Sequence, residues 1–123
     1  MAASLNSVQV GNRTVDILDT GIVSQASTAS FVTVAGADID ARPWRTVAYT
    51  ISVATNAVTW QVLGANSSDY SDAVVVQSGA SVAAGANSSY APATPPYAFY
   101  RVQIQDTAGG SHGVATLRGL AKS

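Results

Sequence analysis

Apolar and polar residues alternate one by one along much of this chain, and that period of two constrains its fold more than any other feature. Between residues 46 and 53, Val47, Tyr49, Ile51 and Val53 fall on one face and Thr46, Ala48, Thr50 and Ser52 on the other. Val58, Trp60 and Val62 repeat the pattern against Thr59 and Gln61. Tyr100, Val102 and Ile104 repeat it against Arg101, Gln103 and Gln105. Half-buried strands have this signature. Composition agrees: Val and Thr supply 16 and 11 of the 123 residues, Glu is absent, and Lys122 is the only lysine. Strand formers are abundant, most helix formers are scarce, and no interval carries a sustained 3.6 period. The expected fold is all-β, an antiparallel β-sandwich or jelly-roll-like single domain.

Turn signals divide the chain into roughly eight to ten strands at the spacing of a sandwich. Gly11-Asn12 separates Val8 and Val10 from Val15 and Ile17, as a hairpin would. Further breaks fall at Asp19-Thr20-Gly21, after Phe31-Val32-Val34, and over the irregular segment 37–44 around Pro43. Thr55-Asn56 suggests that segments 46–53 and 58–62 form one antiparallel hairpin at the heart of the domain. Residues 64–72 read as a polar loop, Val74-Val75-Val76 as a brief buried strand, and Gly113 to Leu120 as the last strand. Residues 1–12 form an N-terminal arm or edge strand, and residues 13–123 the sandwich. The near-repeat of 64–68 at 85–89, Gly-Ala-Asn-Ser-Ser, reflects similar turn chemistry rather than duplication.

Several functions are disfavoured. A net charge of −1 supplies no basic face for nucleic acid. With no cysteine, the chain has no disulfide, thiolate ligand or thiol nucleophile. No apolar run approaches a membrane span, and the start lacks the pattern of a secretory signal. The sequons at Asn12, Asn66 and Asn87 are therefore read as a by-product of Ser/Thr-rich loops. His112 is the only histidine, and its neighbour Ser111 would point to the opposite face of a strand. All seven acids are Asp at turn-like or outward positions, so an acid pair for catalysis is not indicated. Asp38 with Asp40, or Asp69 with Asp72, could offer two carboxylates to a structural cation, but calcium needs more oxygen ligands. The chain is expected to be no enzyme and to carry no cofactor.

Interface residues are better candidates. Arg42-Pro43-Trp44-Arg45 places two arginines around a tryptophan in a loop. Trp44 could plug the end of the sandwich while the arginines pair with Asp38 and Asp40. Alternatively it anchors a protein interface, or stacks on a sugar or base. Phe99 shares the polar face of Arg101 and Gln103, so it would cover a second sheet or a partner. Leu5, Val8 and Val10 are the large apolar residues of the arm, which could add a strand to a neighbouring chain.

One stretch resembles a known group. A tryptophan strand leads into Val62-Leu63-Gly64-Ala65-Asn66-Ser67-Ser68-Asp69-Tyr70, then Val82-Ala83-Ala84-Gly85-Ala86. Pro96-Tyr97-Ala98-Phe99-Tyr100-Arg101-Val102-Gln103-Ile104-Gln105 follows, and the chain ends in Gly110-Ser111-His112-Gly113-Val114-Ala115-Thr116-Leu117-Arg118-Gly119-Leu120-Ala121-Lys122. From about Thr46 to Lys122 this resembles small β-sandwich virion proteins of tailed bacteriophages, including capsid decoration (cement) proteins. The resemblance implies a partner in the major capsid protein and a place on the capsid surface after assembly in the host cytoplasm. Strand exchange by the arm favours a homo-oligomer, a trimer first, and the charge and short apolar runs leave neither nucleic acid nor membrane as an expected partner. The alternative is a carbohydrate-binding or adhesin-like sandwich, for example on a tail fibre, with a sugar as ligand.

Overall fold

In a computed structural model the chain is described over residues 4–10, 13–92, 94–107 and 111–123, with the side chains of 4–6, 8–10 and 13–15 outside that description. The described chain is all β, with eleven strands. They are β1 (Ser4–Val10), β2 (Arg13–Asp19), β3 (Val23–Ala26), β4 (Val32–Thr33), β5 (Ile39–Asp40), β6 (Thr46–Val53), β7 (Val58–Ala65), β8 (Val74–Val82), β9 (Asn87–Tyr90), β10 (Phe99–Asp106) and β11 (Val114–Lys122). One sheet runs β1-β2-β11-β6-β9, with β3 also on β11; the other runs β4-β10-β7-β8, with β5 also on β10. All pairings are antiparallel. The β-sandwich expectation is met.

Two sheet positions are filled by broken strands. β2 and β3 lie along the same partner, β2 against Leu120–Lys122 and β3 against Val114–Leu117. Gly21, at φ 76°, turns the chain between them. Buried Thr20 secures the break: its N–H donates to Gly119 C=O at 2.9 Å, and its Oγ1 accepts from Gly119 N–H at 2.9 Å. β4 and β5 divide the edge of β10 in the same way, with Gly36 at φ 84° between them.

The alternating faces meet in the middle. Val47, Tyr49, Ile51 and Val53 of β6, with Ala115, Leu117 and Ala121 of β11, face Val58, Trp60 and Val62 of β7 and Tyr100, Val102 and Ile104 of β10. Trp60 is fully buried, and its indole N–H has no hydrogen-bond partner among the described residues. An orphaned donor costs about 1–3 kcal/mol, against the large apolar area that an indole buries.

Three local expectations are corrected. Segments 46–53 and 58–62 are not a hairpin, because β6 pairs with β11 and β9 while β7 pairs with β10 and β8. The connection 54–57, with Asn56 at φ 48°, carries the chain across the core, so the two apolar faces look at each other. Val74-Val75-Val76 is not a buried strand but the start of β8, an edge strand whose first two residues are exposed. The irregular segment 37–44 contains strand β5. The near-repeat adopts two conformations: residues 64–65 end β7, whereas Gly85 turns at φ 81° and residues 87–89 enter β9.

The crossing at 54–57 depends on Gly113. A Cβ there would stand 2.5 Å from Asn56 O and 2.6 Å from Thr55 O, both backbone atoms. The Asn56 side chain also donates to His112 C=O at 2.8 Å, tying this connection to the entry of β11. Gly113→Ala is therefore expected to destabilise the fold by about 1–3 kcal/mol, seen in urea unfolding as a lower midpoint with an unchanged slope.

Candidate assembly surfaces

The chemistry-bearing side chains are used to hold elements together. His112 Nδ1 lies 2.9 Å from Asp106 Oδ2, and Ser27 Oγ donates to Asp106 Oδ1 at 2.5 Å. Ser27 Oγ also accepts from Gly113 N–H at 2.8 Å. The serine arrives from just after β3, so a Ser-His-Asp set does come together, but the carboxylate stands between the other two. A nucleophile needs histidine as its direct partner, and here the hydroxyl proton goes to the carboxylate. The cluster instead joins the end of β3, the end of β10 and the entry to β11. Among the described residues no group of three His, Cys, Asp or Glu could hold a metal ion.

The arginine-tryptophan loop is divided in its roles. Arg42 makes a bidentate pair with Asp40 at 2.9 and 2.6 Å, while Asp38 is taken by Arg101 at 3.1 and 2.8 Å. Arg42 thus pairs with Asp40 as one reading expected, and Asp38 finds a different arginine. The Arg42 guanidinium holds the Asp40 carboxyl below the usual carboxylate range. Trp44 is half-buried and packs against the core, as a plug at the end of the sandwich would. Arg45 is exposed, its backbone N–H bonded to Lys122 C=O.

Phe99 lies on the outer face of its sheet, yet it is buried by its own chain. The Arg42 guanidinium sits 4.9 Å from its ring centre, and Tyr70 meets it edge-on with centroids 6.3 Å apart. Arg101 in turn stacks 3.8 Å over Tyr70, whose hydroxyl donates to Tyr100 C=O at 2.8 Å. Tyr70 holds φ 58°, a left-handed conformation unusual for a bulky residue. Asp72, accepting from Asn66 and Ser67 N–H, and Asp69, accepting from Ser71 N–H, secure the loop that presents it. The sequence marked this loop as polar; only the fold shows that its tyrosine covers Phe99.

Open surfaces lie elsewhere. β1 pairs with β2 along its whole length, but β2 meets β11 only at Ile17–Asp19. Residues 8–10 and 13–15 therefore overhang the sandwich, with Val8 registered opposite Val15 and Val10 opposite Arg13. The arm residues Leu5, Val8 and Val10 thus belong to a hairpin strand, while their side chains fall outside the described residues. At the far edge of the other sheet, β8 has the uncharged sequence VVVQSGASV. Two register shifts against β7 bulge this pairing, a device that twists an edge away from casual pairing. Val74 and Val75 remain 45% and 49% exposed, and Ile22 is 57% exposed on the opposite sheet. Ile22 borders a groove of about 490 Å³ on the outer face of the β11–β6–β9 region, lined mainly by Ser, Thr and Asn.

No protein-family model and no curated protein matches the chain. Among solved structures it is similar to a chain from work described as "Bacillus endospore appendages form a novel family of disulfide-linked pili", with a TM-score of 0.54, 16% identity and 96% of each chain covered. That likeness extends over the whole sandwich and is one of fold. The neighbour is a pilus protein rather than a phage protein, and this chain has no cysteine with which to form disulfide links.

The buried polar cluster makes an acid-sensitive point. The Ser27 hydroxyl, and then His112, hold the Asp106 carboxyl below its ordinary value against the opposing effect of burial. A depressed carboxyl stabilises the fold above the unfolded value of about 3.9, and this contribution is lost as pH falls through the folded value. Ser27→Ala is expected to cost about 1–3 kcal/mol at neutral pH and to move the acid-unfolding midpoint to higher pH. Urea and pH titrations followed by tryptophan fluorescence would measure both.

Proposed function

We propose that this is a non-enzymatic structural protein, a β-sandwich subunit that acts by assembling with other protein chains at a surface or on a particle. The observation that carries the reading is the overhanging β1–β2 hairpin, whose outer strand SLNSVQV is uncharged and open along one edge. Long open edges are normally blunted by charge or cover, and adding a strand to a neighbour satisfies their backbone groups. An overall charged content of only 11% suits broad protein contacts, against roughly 25% in average soluble proteins.

The strand order supports the same reading. With β2/β3 and β4/β5 each counted as one broken strand, the main sheets follow the interlocked connectivity of a jelly roll, an architecture shared by capsid and lectin domains. Two finer forms follow. A pilus-like appendage subunit is favoured by the full-length likeness to the endospore appendage chain. A capsid decoration protein bound to a major capsid protein, as a homo-oligomer on a virion, is favoured by the sequence resemblance over Thr46 to Lys122. The described lining of this groove includes no aromatic ring on which a sugar could stack, so the groove does not favour the carbohydrate-binding alternative.

Light scattering and negative-stain electron microscopy of the purified chain would separate these forms. Filaments or open arrays would support the appendage form. A small closed oligomer that co-sediments with phage capsids would support decoration. A monomer that neither polymerises nor binds capsids would overturn the structural reading. Deleting residues 1–12 is expected to leave a folded sandwich by circular dichroism while sharply lowering the assembled mass; unchanged assembly would remove the arm from the mechanism.

A further inference from the structure

The β1–β2 hairpin leaves the sandwich at one residue. β2 runs beside β11 through the pairs Asp19–Leu120, Leu18–Ala121 and Ile17–Lys122. The next step of that register sets Ser123, one residue past β11, opposite Asp16. The Ser123 N–H donates to Asp16 C=O at 3.0 Å, as a regular ladder requires. The return bond is different. Asp16 N–H donates at 2.9 Å to the side-chain Oγ of Ser123, where a hydrogen-bonded antiparallel pair uses the main-chain carbonyl. The Asp16 side chain reaches the other way, its Oδ1 accepting from Ser7 Oγ at 2.7 Å. Ser7 is its register partner on β1.

Asp16 is thus the level at which β1, β2 and the continuation of β11 are tied together. Beyond it, residues 8–10 pair with residues 13–15, and among the described residues no hydrogen bond joins 13–15 to the sandwich. A two-stranded ribbon is marginal in water without a third strand or a packed face. The overhang therefore takes its direction from its root. Ser7, Asp16 and Ser123 are all exposed, and hydrogen bonds made in water add little to global stability because water replaces them when they break. Their effect is on geometry: two bonds between Asp16 and Ser123 fix the angle at which the ribbon departs.

From this geometry we infer that Ser123 is a positioning residue for assembly, whose hydroxyl clips Asp16 and aims the β1–β2 arm at a neighbouring chain. The inference rests on the assembling role of the arm proposed above and adds the group that directs it. An arm held at one angle meets its neighbour preorganised, and a segment already in its bound geometry loses less conformational freedom on binding. Removing the hydroxyl leaves the Ser123 N–H bond and the β2–β11 ladder in place. The sandwich keeps its fold while the arm samples many directions.

The chain has no cysteine, so spin labels attach only where cysteines are placed. Gln9→Cys, on the overhang, and Ala83→Cys, exposed at the turn before β9, are labelled together in the parent, in Ser123→Ala and in Ser123→Thr. Labelled chain is diluted in unlabelled chain, and the distance distribution is measured by double electron–electron resonance. The parent is expected to give one narrow distance, Ser123→Ala a broad distribution, and Ser123→Thr, which keeps a hydroxyl, a narrow one again. Without labels, Ser123→Ala is expected to lower the assembled mass several-fold at an unchanged melting midpoint, with recovery in Ser123→Thr. An unchanged distribution in Ser123→Ala overturns the inference; with a lower melting midpoint it would make Ser123 a stabilising residue only. A broadened distribution with undiminished assembly also overturns it, and if deletion of residues 1–12 still abolishes assembly, the proposed role of the arm stands. If that deletion changes nothing, or the parent does not assemble, the arm reading fails and the positioning role with it.

Discussion

Everything in this domain depends on one packing contact, the meeting of the β6–β11 inner face with the β7–β10 inner face. The chain has few large apolar side chains, so the contact is organised around three fully buried rings, Trp60, Tyr49 and Tyr100, with valine and isoleucine filling between them. The tyrosines take part because their hydroxyls find acceptors or donors at the sheet edges. Tyr49 donates to Ala37 C=O at 2.6 Å, and Tyr100 accepts from Tyr97 N–H at 3.2 Å. Burial pushes the Tyr49 hydroxyl well above its ordinary value, so it remains a neutral donor.

Around that contact, polar groups do the work that a larger core or disulfides do in other small domains. Thr20 closes the gap between two half-strands on β11. Asp106 gathers Ser27 and His112 where three elements converge. The pairs Asp40–Arg42 and Asp38–Arg101 brace the segment around β5 over the aromatic pair Phe99 and Tyr70. Surface ion pairs contribute little alone, but stacked on rings and held bidentate these define the position of a loop. Ser27, Asp106 and His112, residue types that elsewhere build active sites, join three elements here.

The outer surfaces complete the argument about function. One sheet ends in a hairpin that reaches past its neighbour, the other in a bulged, uncharged edge, and the broad face between β3 and β9 is a shallow hydroxyl-lined groove. A domain bearing such edges at both sides is suited to being one unit among many. The likeness to an endospore appendage chain extends across the sandwich, and without cysteine this chain cannot form the disulfide links named for those pili.

The three central strands and their inward faces are legible from local pattern alone. Alternation at Val47–Val53, Val58–Val62 and Tyr100–Ile104 is local, since consecutive side chains in a strand point to opposite faces, and each inward set is buried as read. The strands on either side of Gly11-Asn12 do pair with each other, while those two residues lie outside the described part of the chain. Strand neighbours, by contrast, are set by long-range chain crossing. A strand with one buried face can sit beside the next strand or across the core from it with the same residues inside, so β6 and β7 could not be assigned to separate sheets from their pattern. Val74-Val75-Val76 was misread for a related reason: an apolar run does not reveal whether a neighbour covers it or the sheet ends there. Phe99 lay on the predicted face, but its cover came from Tyr70 and Arg42, far apart in sequence and joined only when the loop and β5 converge over the sheet. Local periodicity sets which way a side chain points, and long-range chain crossing sets what it meets.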